Sequence, residues 1–128
     1  MEPIDTHLLI WAASEPARLS AAARESIEDS RNELHFSVGS LREIVIMGSL
    51  QRSDFDVDAS LLRRGLSDNG YRELRVDGNH VLAVGSLPAI HRDPFDRILI
   101  AQARSEGMSL LTADVTVASY GSPVSLVG

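Results

Sequence analysis

The chain has 128 residues, 44% hydrophobic and 23% charged, with 12 basic against 18 acidic side chains and a net charge of −6. That suits a single globular domain over residues 1–128 with a real core, and it argues against broad electrostatic capture of nucleic acid while allowing local phosphate contacts. Cysteine is absent and every basic residue is Arg, which excludes disulfides, thiolate zinc sites, a Cys nucleophile, the P-loop and Schiff-base or Ser–Lys chemistry. The first residues carry acids at Glu2 and Asp5 and only a short apolar run, so no signal peptide is expected. No stretch reaches membrane-spanning length, and a cytoplasmic setting follows as the expectation.

The apolar start ends at Asp5, with Thr6 read as the cap of a helix beginning over 7–11. Ser20 opens a stronger helix through the alanines at 21–23 and Ile27, fading at 29–32. Leu34, His35 and Phe36 form a candidate buried strand. Residues 37–50 carry a helical apolar pattern through Leu41, Ile44, Val45 and Leu50. A loop is expected around Asp54, Phe55 and Asp56, with Asp58 capping a helix over 59–66. Residues 71–76 alternate like a strand, and 79–87 read as a short helix. The clearest helix has Asp93 as N-cap, Pro94 at its first position and Gly107 as its C-terminal stop. Leu110 and Leu111 form a short buried strand, 112–119 turn into another short helix, and 124–127 close as a strand. Strands alternating with helices predict a parallel sheet covered on both faces.

Four acids fall where packing does not favour them. Asp5 ends the first apolar segment and Asp114 follows Leu110, Leu111 and Thr112; in an open parallel sheet, ligands bind outside the carboxyl ends of strands. Taken singly, Asp5 is equally readable as a cap, and Asp114 reads more readily as a turn residue. Glu43 has Gly39, Ser40, Ile46 and Met47 at helical spacing, which is no solvated face; the plain alternative is an edge residue snorkelling to water. Asp96 aligns with Leu99, Ile100 and Ala103, and compensation of the helix dipole is its plain alternative. Together they invite a different reading, because clustered buried carboxylates repel and need compensation. A divalent cation supplies it, and an oxygen donor set favours Mg²⁺ or Mn²⁺ over zinc.

The residues Asp5-Thr6-His7, Ser40-Leu41-Arg42-Glu43-Ile44, the run HRDPFDRILIAQA at 91–103 and Leu111-Thr112-Ala113-Asp114 together resemble the PIN-domain ribonucleases, most closely the VapC-type toxins of bacterial toxin–antitoxin systems. The resemblance implies an α/β/α sandwich around a short, mostly parallel sheet. It also implies acids that hold Mg²⁺, with Mn²⁺ as a substitute, and cut RNA. Asp5, Glu43, Asp96 and Asp114 match the family's four metal-binding acids, Thr112 its hydroxyl beside the fourth, and Asp93 a helix cap close to the site. A cognate VapB-type antitoxin and a homodimer are implied as well. The pattern departs at Pro3, which should keep the first strand short, at Arg42, where an aromatic residue is common, and at Met47, where a lysine is common.

The expected function is therefore a metal-dependent endoribonuclease acting as the toxin of such a pair. A PIN-like binding module and a metal-dependent hydrolase of small phosphoesters are the alternatives. Other residues read more plainly. His7, His35, His80 and His91 lack the spacing of a metal site. Arg92 and Arg97 flank Asp96 within reach of a phosphate, although solvated charge is the preferred reading. Arg63, Arg64, Arg72 and Arg75 read as surface residues. Trp11, Phe36, Phe55 and Tyr71 read as core or interface rather than as a stacking platform among basic residues.

Overall fold

Five short strands and seven α-helices make up the described residues, 2–49 and 57–127, of the computed structural model. The strands are β1 (Glu2–Pro3), β2 (Leu34–Ser37), β3 (Arg72–Leu74), β4 (Leu110–Thr112) and β5 (Val124–Leu126). The helices are α1 (Thr6–Ser14), α2 (Ala21–Glu28), α3 (Val38–Ser49), α4 (Ala59–Asp68), α5 (Gly78–Val84), α6 (Pro94–Glu106) and α7 (Val115–Ala118). The loop expected around Asp54, Phe55 and Asp56, and Leu50 at the end of a predicted helix, lie outside the described residues.

Every strand pair is parallel. Pro3 pairs with His35, Phe36 with Glu73 and Leu111 with Ser125. A bridge between Ile4 and Leu111 joins the two halves: the Asp5 N–H donates to the Leu111 carbonyl at 3.0 Å, while the Ile4 N–H donates to the His35 carbonyl of β2 at 3.0 Å. The strand order is thus β3-β2-β1-β4-β5, and the order reverses direction between β1 and β4. Alternation along the strands splits the core in two. Ile4, Phe36 and Leu111 pack with Leu8 and Leu9 of α1, Ala23 of α2, Ile44 of α3, and Leu62 and Leu66 of α4. Leu110, one residue out of phase, packs with Leu99, Ile100 and Ala103 of α6, Val117 of α7 and Tyr120. The result is the expected α/β/α sandwich. Among the described residues, no helix is long and apolar enough to cross a membrane.

Caps and strand lengths correct the sequence reading in places. Asp5, not Thr6, caps α1: its Oδ1 accepts the Leu8 N–H at 3.0 Å. The strand pairing runs through Ile4, so Asp5 is the first residue free to turn, and Thr6 already belongs to the helix. β3 is shorter than 71–76 because its partner β2 stops at Ser37, where α3 begins without a connecting loop. α5 starts after its cap Asp77 and ends at Val84, while Leu87 is buried in the second core instead. α6 matches its forecast, with Asp93 as cap, Pro94 first, and Gly107 at φ 65° stopping it. That left-handed conformation carries little penalty only for glycine.

Gly39 sets the distance between α3 and α6. A Cβ there would lie 3.0 Å from Ile98 Cγ2 and 3.2 Å from Ser37 Oγ. The Ser37 hydroxyl also accepts the Gly39 N–H at 2.9 Å and donates to Gln102 of α6 at 2.6 Å. Gln102, fully buried, donates in turn to the Arg75 carbonyl at 3.2 Å. α3 and α6 are therefore held close at the carboxyl edge of the sheet.

Candidate active site

In a parallel sheet the crossover helices run against the strands, so their N-terminal ends gather at the strands' carboxyl edge. Asp5 ends β1 there and caps α1, and Glu43 lies in the second turn of α3. Asp96 is the third residue of α6, and Asp114 caps α7 just after β4. The site thus straddles the point where the strand order reverses.

Asp5 is buried, and both of its oxygens are held. Oδ1 takes the Leu8 N–H, and Oδ2 takes the Thr112 hydroxyl. Burial pushes its pKa up, the Thr112 and Leu8 hydrogen bonds and nearby His7 pull it back, and Asp114 raises it further. Thr112 also accepts the Asp114 N–H at 3.0 Å, so one buried hydroxyl links the two acids. Glu43 is buried, and its Oε1 has no hydrogen-bond partner among the described residues. Desolvation raises its pKa, Asp93 and Asp96 add to the rise, and the Thr6 hydroxyl and His7 oppose it. Asp96 is raised by burial and by the charges of Asp93 and Asp5, against the pull of His91.

Asp93 is the predicted cap: its Oδ1 accepts the N–H groups of Phe95 at 2.8 Å and Asp96 at 3.1 Å. Asp114 is exposed and turns Oδ1 to the N–H groups of Thr116 at 2.8 Å and Val117 at 3.4 Å. It stands at the rim, close enough to raise Asp5. Asp5, Glu43, Asp93 and Asp96 therefore share one electrostatic environment, and Asp114 touches its edge.

Two sets of three residues bring ligand-capable atoms within 4.8 Å of one another among the described residues: His91, Asp93 and Asp96, and Asp77, His80 and Glu106. The second set already has a structural use. His80 Nδ1 accepts the Asp77 N–H at 3.1 Å, and Nε2 meets Glu106 at 2.8 Å. Both ring nitrogens are committed, to capping α5 and to tying it to α6. The first set belongs to the acidic site. His91 Nε2 lies 2.8 Å from Asp96 Oδ2. Sequence reasoning missed His91 because it sought spacing between histidines, whereas the partner of His91 is a carboxylate across a helix start. The sequence signal was its place two residues before the cap Asp93.

Carboxylates raised by burial and by one another, beside a buried carboxylate oxygen with no partner among the described residues, are hard oxygen donors with like charges and unmet hydrogen-bonding capacity. The donor set fits a divalent ion such as Mg²⁺ or Mn²⁺.

Arg97 corrects the reading of a solvated charge: it is half-buried and turned from the acids, its guanidinium donating to the carbonyls of Val84 and Pro88 and to the Tyr120 hydroxyl. Trp11 packs against the first core as expected, with the Arg18 guanidinium 5.1 Å over its ring. Away from the acids, a groove of about 1010 Å³ opens between α1, α2 and α4, walled by Ala12, Leu19, Ile27, Leu61, Leu66 and Tyr71.

A family model for the PIN domain matches residues 4–121. Ribonuclease VapC22 of Mycobacterium tuberculosis is 27% identical over 121 residues, covering 94% of this chain and 92% of that protein. A toxin-antitoxin complex from Klebsiella pneumoniae shares the fold with a TM-score of 0.68 at 15% identity, over 100% of this chain and 98% of that one. VapBC2 from Rickettsia felis, bound to a DNA fragment from their promoter, gives 0.68 at 12% identity, over 98% and 96%.

Proposed function

Because the chain belongs to the PIN-domain family, we propose that it is a divalent-metal-dependent endoribonuclease and the toxin of a toxin–antitoxin pair. The observation that carries this reading is Glu43, buried with Oε1 unpartnered and pushed up by burial and by Asp93 and Asp96. A folded chain retains such a group at a cost of about 1–3 kcal/mol, and a cation removes that cost. Asp5, Glu43 and Asp96 would hold the ion, with Asp114 at the rim, directly or through water. Mg²⁺, or Mn²⁺ in its place, would supply an activated water and charge stabilisation for phosphodiester hydrolysis.

The chain's own residues prepare the site. Thr112 locks Asp5 in one orientation, and Asp93 fixes the start of α6 so that Asp96 points into the cluster. With an all-oxygen donor set, no nucleophilic side chain is required. The relative named a ribonuclease supports RNA as substrate, and the two complexes of the same fold support a VapB-type antitoxin as partner. The apolar groove between α1, α2 and α4 suits the apolar face of a partner helix better than a phosphodiester. Val81 and Leu82 of α5, with Leu82 78% exposed, support a homodimer.

Antitoxin-free protein incubated with a panel of cellular RNAs should cleave at least one of them in Mg²⁺ or Mn²⁺ and stop in EDTA. Glu43→Gln and Asp96→Asn should abolish cleavage. An uncut panel beside hydrolysis of a small phosphoester would replace this reading with a phosphohydrolase, and an uncut panel with neither activity would leave a binding module.

A further inference from the structure

Tyr120 is buried in the second core, yet its hydroxyl reaches the irregular segment before α6. That hydroxyl accepts the backbone N–H of His91 at 2.9 Å. Arg97 Nη1 donates to the Tyr120 hydroxyl at 3.1 Å, to the Pro88 carbonyl at 3.0 Å and to the His91 carbonyl at 3.4 Å, while Nη2 donates to the Val84 carbonyl at 3.1 Å. Two side chains thus pin the backbone between α5 and α6 at two carbonyls and one N–H, and tie it to the last carbonyl of α5. The residue they fix, His91, reaches back to Asp96, the sequence neighbour of Arg97, at 2.8 Å. The contacts close a ring: Asp96 to His91, His91 to Arg97 and Tyr120, and Arg97 back to Asp96 along α6.

The direction of Arg97 is informative. It is a permanent cation next in sequence to an acid in a like-charged cluster, and consecutive helix positions face apart, so its guanidinium is free to serve elsewhere. Among the described residues it makes no ion pair with Asp93 or Asp96, and its donors go to neutral oxygens. The acids stay unneutralised, and the arginine holds a loop instead. An imidazole on a free loop would sample several positions, and the entropy of ordering it would offset the gain from one hydrogen bond. On a clamped backbone that ordering is already in place before any ligand arrives.

We propose that Arg97 and Tyr120 are positioning residues of the acidic site: by clamping the backbone of His91 they fix its Nε2–H on Asp96 Oδ2, so that the carboxylate offers its other oxygen to a divalent cation. This rests on the reading of the acids as a metal site. Loss of an outer hydrogen-bond partner of a ligating carboxylate typically weakens metal binding about 10–100-fold.

The test is a Mn²⁺ titration followed by thermal melting, with metal-free melts alongside, on wild type, Tyr120→Phe, His91→Leu, the double variant and His91→Gln. Tyr120→Phe keeps the buried ring and removes only the hydroxyl. His91→Leu and Tyr120→Phe should each weaken apparent Mn²⁺ affinity about tenfold or more. The double variant should be no weaker than the weaker single one, because both act through one contact. His91→Gln should recover most of the affinity, its amide N–H replacing that of the imidazole. Should Tyr120→Phe not fold, Arg97→Gln carries the same comparison. A lower metal-free melting temperature with unchanged Mn²⁺ affinity would make the clamp purely structural. Losses that multiply in the double variant would make the two residues independent. Either outcome overturns the proposal and leaves the metal site standing, whereas a wild type whose melting ignores Mn²⁺ overturns both.

Discussion

Gly39→Ala tests whether the approach of α3 to α6 builds the site. The new Cβ would lie 3.0 Å from Ile98 Cγ2, against about 3.5–4.0 Å for an ordinary carbon contact. The helices must part, or Ile98 must shift, by about half an ångström. Overpacking of this kind costs about 1–3 kcal/mol, and alanine in a helix returns about 0.5–1 kcal/mol over glycine. Because Gly39 is only the second residue of α3, the return falls at the low end. A net loss of about 0.5–2.5 kcal/mol follows, or a melting temperature about 2–9 °C lower in a domain of this size. Glu43 sits one turn along α3 and Asp96 near the start of α6, so parting the helices also separates two site acids. The Mn²⁺-induced rise in melting temperature should shrink and RNA cleavage should fall. Ile98→Ala removes the obstructing methyl, so in a double-mutant cycle read by urea unfolding the pair should be less destabilising than the sum of the singles. Gly39→Ala as stable as wild type, with additive effects in the cycle, would refute the close-approach argument.

Charge removal and pH should act in the same direction on the metal-free protein. Asp5, Glu43 and Asp96 hold their protons more tightly folded than unfolded, so their penalty is absent below the ordinary values of 3.8 and 4.5 and grows as pH rises through the raised folded values. Urea unfolding in EDTA should show stability falling as pH rises from the ordinary carboxylate range through the raised values and levelling above them. Glu43→Gln should flatten that fall, match or exceed wild type at neutral pH, and weaken the Mn²⁺ response; an unchanged response would remove Glu43 from the site. Asp93→Ala leaves the N–H groups of Phe95 and Asp96 without their acceptor and should cost about 0.5–2 kcal/mol. Asp93→Ser should restore most of that stability by urea unfolding, since a hydroxyl also caps, and a loss of cleavage without a loss of stability would instead place Asp93 on the metal.

Local chemistry made much of this protein legible in the sequence. Asp93, Pro94 and Gly107 bound α6 because a cap, a missing N–H and a left-handed stop act within one turn of chain. Ser20 and Asp58 mark helix starts for the same reason, and the alternation of strands and helices left a parallel sheet as the economical arrangement. The four acids stood out because each interrupts or borders an apolar pattern.

What depended on neighbours distant in sequence was settled only by the tertiary structure. The cap of α1 moved from Thr6 to Asp5 because the pairing of Ile4 with both His35 and Leu111 decides where the chain can turn. β3 shortened because β2 gives way to α3 at Ser37. Thr112 reaches Asp5 across 107 positions, and Glu43 is left unpartnered by what packs around it rather than by its neighbours in the chain. The same holds for Arg97, whose flanking of Asp96 suggested a phosphate contact or a solvated charge. Its length and five donors allow many partners, and only the placing of Val84, Pro88, His91 and Tyr120 around it selects the loop. Sequence determines propensities within a turn or two, whereas which polar atoms meet, and which are left over, follows from how the sheet brings remote segments together.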